Sequence, residues 1–169
     1  MPATFEPIAS TTLSTDTTTI TFDNIPQTYT DLVLVCSEVQ SDVAGSSFND
    51  GRFRFNDDSG TNYSSTRLQG DGSAASSARL SNENILYAGI IPQASVTSKA
   101  INIMHIMNYA NTTTNKTAIV RSSSAALAVR ATVGLWRSTA AITKVTVIYP
   151  SQNYKSGGVF SLYGIRAGA

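Results

Sequence analysis

The side chains best suited to catalysis or metal binding are few in this chain. There is one histidine, His105, and one cysteine, Cys36. A hydrolase triad needs a nucleophile and an orienting carboxylate beside its histidine, but the sequence has no Gly-x-Ser-x-Gly motif and no local Cys-His pattern. One histidine and one distant cysteine also fall short of four zinc ligands, unless a symmetric oligomer gathers several copies of His105. We therefore expect His105 to be a core or interface residue and Cys36 a buried small hydrophobe.

Two glycine-containing turns carry the acidic residues that could bind a ligand. Asp57 and Asp58 precede Gly60, but the alternating acidic ligands and the terminal glutamate of an EF-hand are missing. Asp71 lies between two glycines, without the Lys-Ser/Thr that completes a phosphate-binding loop. The remaining acidic residues give no reason to choose a catalytic pair for glycoside hydrolysis. The sequence therefore predicts no metal, no cofactor and no enzymatic activity.

Residues 127–135 alternate strictly between two kinds of side chain. One set is apolar and consists of Leu127, Val129, Ala131, Val133 and Leu135. Because strand side chains alternate between faces, Trp136 then shares the polar face with Arg130, Thr132 and Gly134. An exposed tryptophan on such a face is typical of an interface or a sugar platform, and the alternative is a strand end covered by a neighbouring loop.

Four residues are the candidates for contacts with a partner. We expect Trp136 and Arg130 to contribute from the strand just described. Asp71 would contribute from a loop over residues 70–81, and Phe5 from the N-terminal segment.

Period-2 runs of apolar residues, separated by turn residues, organise the rest of the chain. Residues 142–149 and 159–165 alternate in this way, and residues 29–39 are apolar on both faces around residues 32–36, as expected of a central strand. We count eight to ten strands and no convincing helix. This pattern predicts an all-β, two-sheet sandwich, jelly-roll-like, with a barrel as the alternative.

The sequence predicts the local structure of four further segments. Residues 1–16 are polar and are predicted to be an N-terminal arm or an edge strand, which leaves residues 17–169 for the sandwich domain. Residues 52–56 and 62–69 are predicted to pair as a hairpin across the turn at residues 57–60. Residues 70–81, rich in Gly, Ser and Ala, are predicted to be a mobile surface loop.

Composition excludes several classes of partner. Twelve basic and eleven acidic residues leave a formal charge of +1, and only 14% of residues are charged, so there is no general field to attract nucleic acid or anionic lipid. No apolar run reaches the roughly 20 residues that span a bilayer, and no signal peptide is evident. We expect synthesis in a cytoplasm, with neither nucleic acid nor membrane as a partner.

Three stretches together resemble a group of β-rich virion proteins from tailed bacteriophages. They are residues 25–32 (IPQTYTDL), residues 54–56 (RFN) followed by 62–64 (NYS), and residues 160–165 (FSLYGI). The resemblance spans most of residues 17–166 and rests on the order and spacing of these pieces. Relatives often carry bulky aromatics just after Asn-Tyr-Ser, where this chain has Ser65 and Thr66.

The resemblance implies a non-enzymatic structural component of the virion, on the capsid or the tail, with a jelly-roll-like sandwich. It also implies other virion proteins as partners and a homo-oligomer, with a trimer as the expected form. The alternative is a carbohydrate-binding module that attaches the particle to a host glycan, and a third hypothesis is a glycan hydrolase.

Overall fold

The structure is a computed structural model that describes residues 5–150 and 152–166. Within these residues the chain forms twelve strands and no helix. The strands are β1 (Phe5–Thr12), β2 (Thr19–Phe22), β3 (Asp31–Val39), β4 (Phe48–Phe55), β5 (Tyr63–Gly70), β6 (Ala75–Glu83), β7 (Leu86–Pro92), β8 (Ala100–Met107), β9 (Lys116–Ser124), β10 (Ala128–Trp136), β11 (Val145–Ile148) and β12 (Val159–Ile165). The described part of the chain thus has no helix that could cross a membrane.

The strands form two antiparallel sheets that pack against each other. The large sheet has eight strands in the order β1-β12-β3-β8-β9-β10-β5-β6, and the small sheet has four in the order β2-β11-β4-β7. Strand β7 of the small sheet packs across β5, β8, β9 and β10 of the large sheet. The predicted all-β, two-sheet sandwich is confirmed.

The core lies between the facing sides of the two sheets. Leu34 and Phe160 of the large sheet and Phe53 and Ile90 of the small sheet are buried there. Strand β3 lies between β12 and β8, which confirms the central strand predicted at residues 29–39. Since Leu34 is fully buried in that strand, it is a direct probe of the packing between the sheets.

The two sheets approach each other closely where β10 meets β7. A Cβ atom added at Gly134 of β10 would lie 2.6 Å from the Cδ1 atom of Leu86. Only glycine leaves room for this leucine, so the side of β10 that carries Gly134 faces the core.

The N-terminal segment is an edge strand and not a free arm. Residues 5–12 pair with β12 along its length, from Phe5 opposite Ile165 to Thr12 opposite Val159. Leu13 is buried, and its backbone bonds to Gly157 and Gly158 tie the segment to the turn that precedes β12. The sequence was compatible with both alternatives because an edge strand needs few apolar residues. The start of the predicted arm, residues 1–4, lies outside the described residues.

The prediction of a mobile loop at residues 70–81 is wrong. Strand β6 begins at Ala75 and pairs with β5 from Gly70 to Tyr63. The turn between them is closed by Asp71, whose Oδ1 accepts hydrogen bonds from the backbone nitrogens of Ser73 and Ala74. This edge strand is built from small polar residues and is held by backbone pairing, which leaves no alternating apolar pattern to detect.

The predicted hairpin between residues 52–56 and 62–69 is also wrong. Strand β4 belongs to the small sheet and β5 to the large sheet, so the turn carries the chain from one sheet to the other. Asn56 and Asp57 both adopt positive φ in this turn. The hydroxyl of Tyr63 accepts a hydrogen bond from the Phe55 backbone nitrogen at 3.1 Å, which joins the two sheets next to the turn.

Candidate functional site

The two faces of β10 have the opposite orientation to the one their composition suggests. Arg130, Thr132 and Trp136, on the side with Gly134, are buried against the small sheet, whereas Val129 is 62% exposed and Val133 51% exposed. The apolar side chains therefore point away from the sandwich. We call this side of the large sheet the outer face.

Every large hydrophobic residue that is exposed in the described structure lies on the outer face. By the strand register these are Phe5, Leu68, Ile101, Ile119, Val129 and Val133. Five of the six, all except Phe5, sit on the adjacent strands β5, β10, β9 and β8. Soluble monomers rarely expose contiguous apolar patches of this kind, so the outer face has the character of an interface.

Trp136 belongs to the core rather than to an exposed sugar platform. It is 2% exposed, and its ring packs against Phe55 and Tyr63 at centroid distances of 5.7 and 6.3 Å. Its indole Nε1–H donates to the Oδ2 atom of Asp58 at 2.6 Å. The expectation of an exposed tryptophan therefore fails, because the face it occupies is the buried one.

The carboxylate of Asp58 is occupied by protein donors. Besides Trp136, the side chain of Asn62 and the backbone nitrogen of Gly60 donate to it. Partial burial raises the pKa of Asp58, but these hydrogen bonds to the charged form outweigh it, so the pKa lies below its ordinary value. The described residues contain no group of three or more His, Cys, Asp or Glu side chains placed to hold a metal ion.

The remaining candidates from the sequence are far apart. Asp71 is exposed at the β5–β6 turn, whereas Phe5 lies on β1 at the other edge of the large sheet. Cys36 is buried, which confirms the prediction of a buried small hydrophobe, and burial raises the pKa of its thiol. The ring of His105 lies 3.0 Å from Asp31 Oδ2 on the outer face.

Arg130 is the one candidate at the centre of a polar cluster. Its side chain is only 3% exposed, and its Nη1 donates to Asp50 Oδ1 at 2.5 Å and to the carbonyl oxygen of Gly89 at 2.7 Å. Nε and Nη2 both donate to Gln69 Oε1, at 3.0 and 2.6 Å. Burial lowers the pKa of Arg130, and Asp50 opposes that change, as expected of a buried cation that keeps its charge through one carboxylate.

A second and a third arginine join this cluster. Arg67 Nη1 lies 3.0 Å from both carboxylate oxygens of Asp50. Arg52 lies two positions after Asp50 in the chain and places its guanidinium 5.2 Å from the centre of the Tyr87 ring. All three arginines line a cleft of about 430 Å³ where β4 of the small sheet faces β5 and β10. We call this the arginine cleft.

The arginine cleft has an excess of positive charge and of hydrogen-bonding groups. Three arginines face one aspartate, so the net charge of the lining is +2. The Nε atom of Arg52 is buried and makes no hydrogen bond with any described residue. The cleft also contains Asn49, whose amide donates to Tyr149 Oη at 2.6 Å. Such a lining suits a small anion that carries further polar groups.

The sequence did not identify the other members of the cleft. Asp50 and Arg130 are 80 positions apart in the chain, and the strands that carry them lie in different sheets. The alternation of Asp50, Arg52 and Arg54 with Gly51, Phe53 and Phe55 would place the three charged residues on one side of β4. The pairing of β4 with β7 shifts register between Asp50 and Arg52, so this pattern does not predict the position of Asp50.

Comparison with known proteins gives no match: no protein-family model, no curated protein and no solved structure matches this chain. The structural support for a function therefore comes from the outer face and the arginine cleft.

Proposed function

We propose that this chain is a non-enzymatic structural component of a tailed-bacteriophage virion, on the capsid or the tail, and that it works by self-association and by binding other virion proteins. The bacteriophage origin is supported by the resemblance of residues 25–32, 54–56 with 62–64, and 160–165 to virion proteins. The single observation that carries self-association is the outer face, where all six exposed large hydrophobics of the described residues lie.

The outer face is large enough for a stable interface. With strands about 4.8 Å apart and a rise of about 3.3 Å per residue, four strands of about eight residues cover about 500 Å² and all eight cover about 1,000 Å². A standard interface buries about 800 Å² on each partner. Contact must therefore extend from the β5–β8 side towards β1, where Phe5 supplies an exposed aromatic ring.

The occupant of this face is a second copy of the chain. Among the described residues the exposed large hydrophobics are confined to the outer face, so another copy can match it only with the same face. Two copies of this face related by a two-fold axis would give a dimer. The resemblance favours a trimer, in which the outer faces surround a three-fold axis and one side of each face contacts the other side of the next copy's face. Arg121, which is exposed among these residues, is compatible with this because arginine is enriched at interfaces.

Self-association is tested by measuring the molecular mass in solution of the wild type and of two variants that each introduce one carboxylate. Val133→Glu places a carboxylate in the outer face, and Thr21→Glu places one on an exposed β-branched residue of β2 in the small sheet. We expect multi-angle light scattering to show a trimer for the wild type and Thr21→Glu, and a monomer for Val133→Glu. A wild type that is monomeric at every concentration, or a Val133→Glu variant that assembles normally, would refute self-association through this face.

A second measurement tests the virion assignment separately. Mass spectrometry of purified particles of the phage that encodes the chain should find it in a fixed ratio to the capsid or tail proteins. Its absence from the particles would refute the virion role while leaving the self-association result standing.

A further inference from the structure

We infer that the arginine cleft is a binding site for the carboxylate of an acidic sugar unit. This inference rests on the lining of the cleft and is independent of self-association through the outer face.

Asp50 neutralises only part of the positive charge in the cleft. Arg130 uses four of its five N–H groups for Asp50, Gln69 and Gly89 and acts as a fixed part of the wall. Arg67 uses its Nη1 atom for Asp50, and no described residue bonds to its other nitrogens. Arg52 has no carboxylate partner among the described residues and rests on the Tyr87 ring. Two guanidinium groups thus retain donors for an incoming anion.

A carboxylate fits these donors better than a spherical ion does. The guanidinium is a planar fork whose two parallel N–H groups match the two oxygens of a carboxylate. The guanidinium carbon of Arg52 lies over the Tyr87 ring in a cation–π contact. None of the described residues that line the cleft is a lysine, which would bind as a point charge.

The rest of the lining suits the hydroxyl groups of a sugar ring. Gln69 uses its carbonyl oxygen for Arg130, so its amide nitrogen remains a donor. Asn49 uses its amide nitrogen for Tyr149, so its carbonyl oxygen remains an acceptor. The volume of about 430 Å³ lies at the lower end of the range of about 300–1,000 Å³ for small-molecule sites. One monosaccharide unit with one carboxylate meets both the size and the polarity of the cleft.

The test is a calorimetric or NMR titration of the full chain with sodium D-glucuronate. D-Glucose, sodium acetate and inorganic phosphate are titrated in parallel at the same ionic strength. We expect saturable binding of glucuronate, at least tenfold tighter than that of any of the three others. Equal affinity for glucose would refute the role of the carboxylate, equal affinity for acetate would refute the role of the ring, and tighter binding of phosphate would refute the choice of carboxylate.

Two variants of Arg52 and one matched control locate the binding. Arg52→Gln removes the charge, and Arg52→Lys keeps the charge but removes the fork; each should weaken glucuronate binding at least tenfold. Arg54→Gln removes one charge from the same strand, two positions further along and outside the cleft lining. It should leave the affinity unchanged. If Arg54→Gln weakens binding as much as Arg52→Gln does, or if Arg52→Lys binds like the wild type, the site is not the one assigned here. Loss of the cation–π contact with Tyr87 should lower the Tm of the Arg52 variants only slightly, and a cooperative melting curve confirms that they fold.

Discussion

The ion pair between Asp50 and Arg130 predicts a stability effect that depends on which partner is removed. Arg130 is 3% exposed and Asp50 27% exposed, so Asp50→Ala leaves a buried guanidinium without its carboxylate. Removing one partner of a fully buried pair costs about 3–5 kcal/mol. Because Asp50 is partly solvated, we expect a loss near the lower limit, about 3 kcal/mol.

Asp50→Ala should reduce the free energy of unfolding much less when Arg130 has been replaced by a neutral residue. Arg130→Met keeps much of the volume of the side chain and removes the buried charge, and apolar replacements of whole buried pairs are often close to neutral. In that background Asp50→Ala removes only a partly exposed contact with Arg67, so we expect a loss of about 1 kcal/mol or less. The coupling energy in the double-mutant cycle is then about 2 kcal/mol.

Urea denaturation at a fixed protomer concentration is the measurement, followed by the fluorescence of Trp136, the single tryptophan. A fixed concentration is needed because self-association contributes to apparent stability. Asp57→Asn is the matched control, since Asp57 forms an ion pair with Lys144 at 2.7 Å but is 62% exposed, and asparagine tolerates the positive φ of this position. It should cost less than about 1 kcal/mol. An equal cost of Asp50→Ala in both backgrounds would refute the view that Asp50 compensates a buried charge.

Three further outcomes follow from the core, the Asp58 cluster and the N-terminal edge. Leu34→Ala should destabilise by roughly 2–5 kcal/mol, as for other fully buried leucines, and a loss under about 1 kcal/mol in the urea assay would contradict its place in the core. Trp136→Phe should lower the Tm most at neutral pH, because it removes a hydrogen bond to the charged form of Asp58. The pKa of Asp58 is lower in the folded protein than the ordinary aspartate value of about 3.9. The stability that this shift provides is fully present above the ordinary pKa and is lost as the pH falls through the folded pKa. The difference in Tm from the wild type should therefore narrow in acid, and a constant difference between about pH 6 and pH 2 would show that the hydrogen bond to Asp58 is not involved. Deleting residues 1–12 should leave a folded sandwich with a lower Tm and a tendency to associate through β12, which becomes an edge strand; an unchanged Tm and solution state would show that β1 is not paired as described.

The strands of this fold could be predicted from the sequence where their side chains alternate, as in β8, β10 and β12. They could not be predicted in β6, where Ala75–Glu83 is a run of small and polar residues held by pairing with β5. The sequence also could not predict which strands pair with each other. A turn after Phe55 looks the same in sequence whether the chain returns as a hairpin or crosses to the second sheet.

For the candidate site, the sequence could not predict which face of β10 is buried. Alternation in β10 separates Val129 and Val133 from Arg130 and Trp136, but it does not say which side faces the core. The usual assumption puts the apolar side inside. It fails here because Asp50 and Asp58, both distant in sequence, supply carboxylates for the Arg130 guanidinium and the Trp136 indole. With those groups satisfied, the apolar side is left for contacts with another molecule.

The outer face and the arginine cleft lie on opposite sides of the same two strands, so assembly and ligand binding should be separable. In β5 and β10, Leu68 and Val129 point outward, while their neighbours Gln69 and Arg130 point towards the small sheet. Covering the outer face with other copies therefore leaves the lining of the cleft in place. We expect Val133→Glu to abolish assembly and keep glucuronate binding, and Arg52→Gln to lose binding and keep assembly. If the monomeric Val133→Glu variant lost glucuronate affinity while its melting curve stayed that of a folded protein, the two surfaces would be coupled, and the separation of β10 into an assembly side and a ligand side would be wrong.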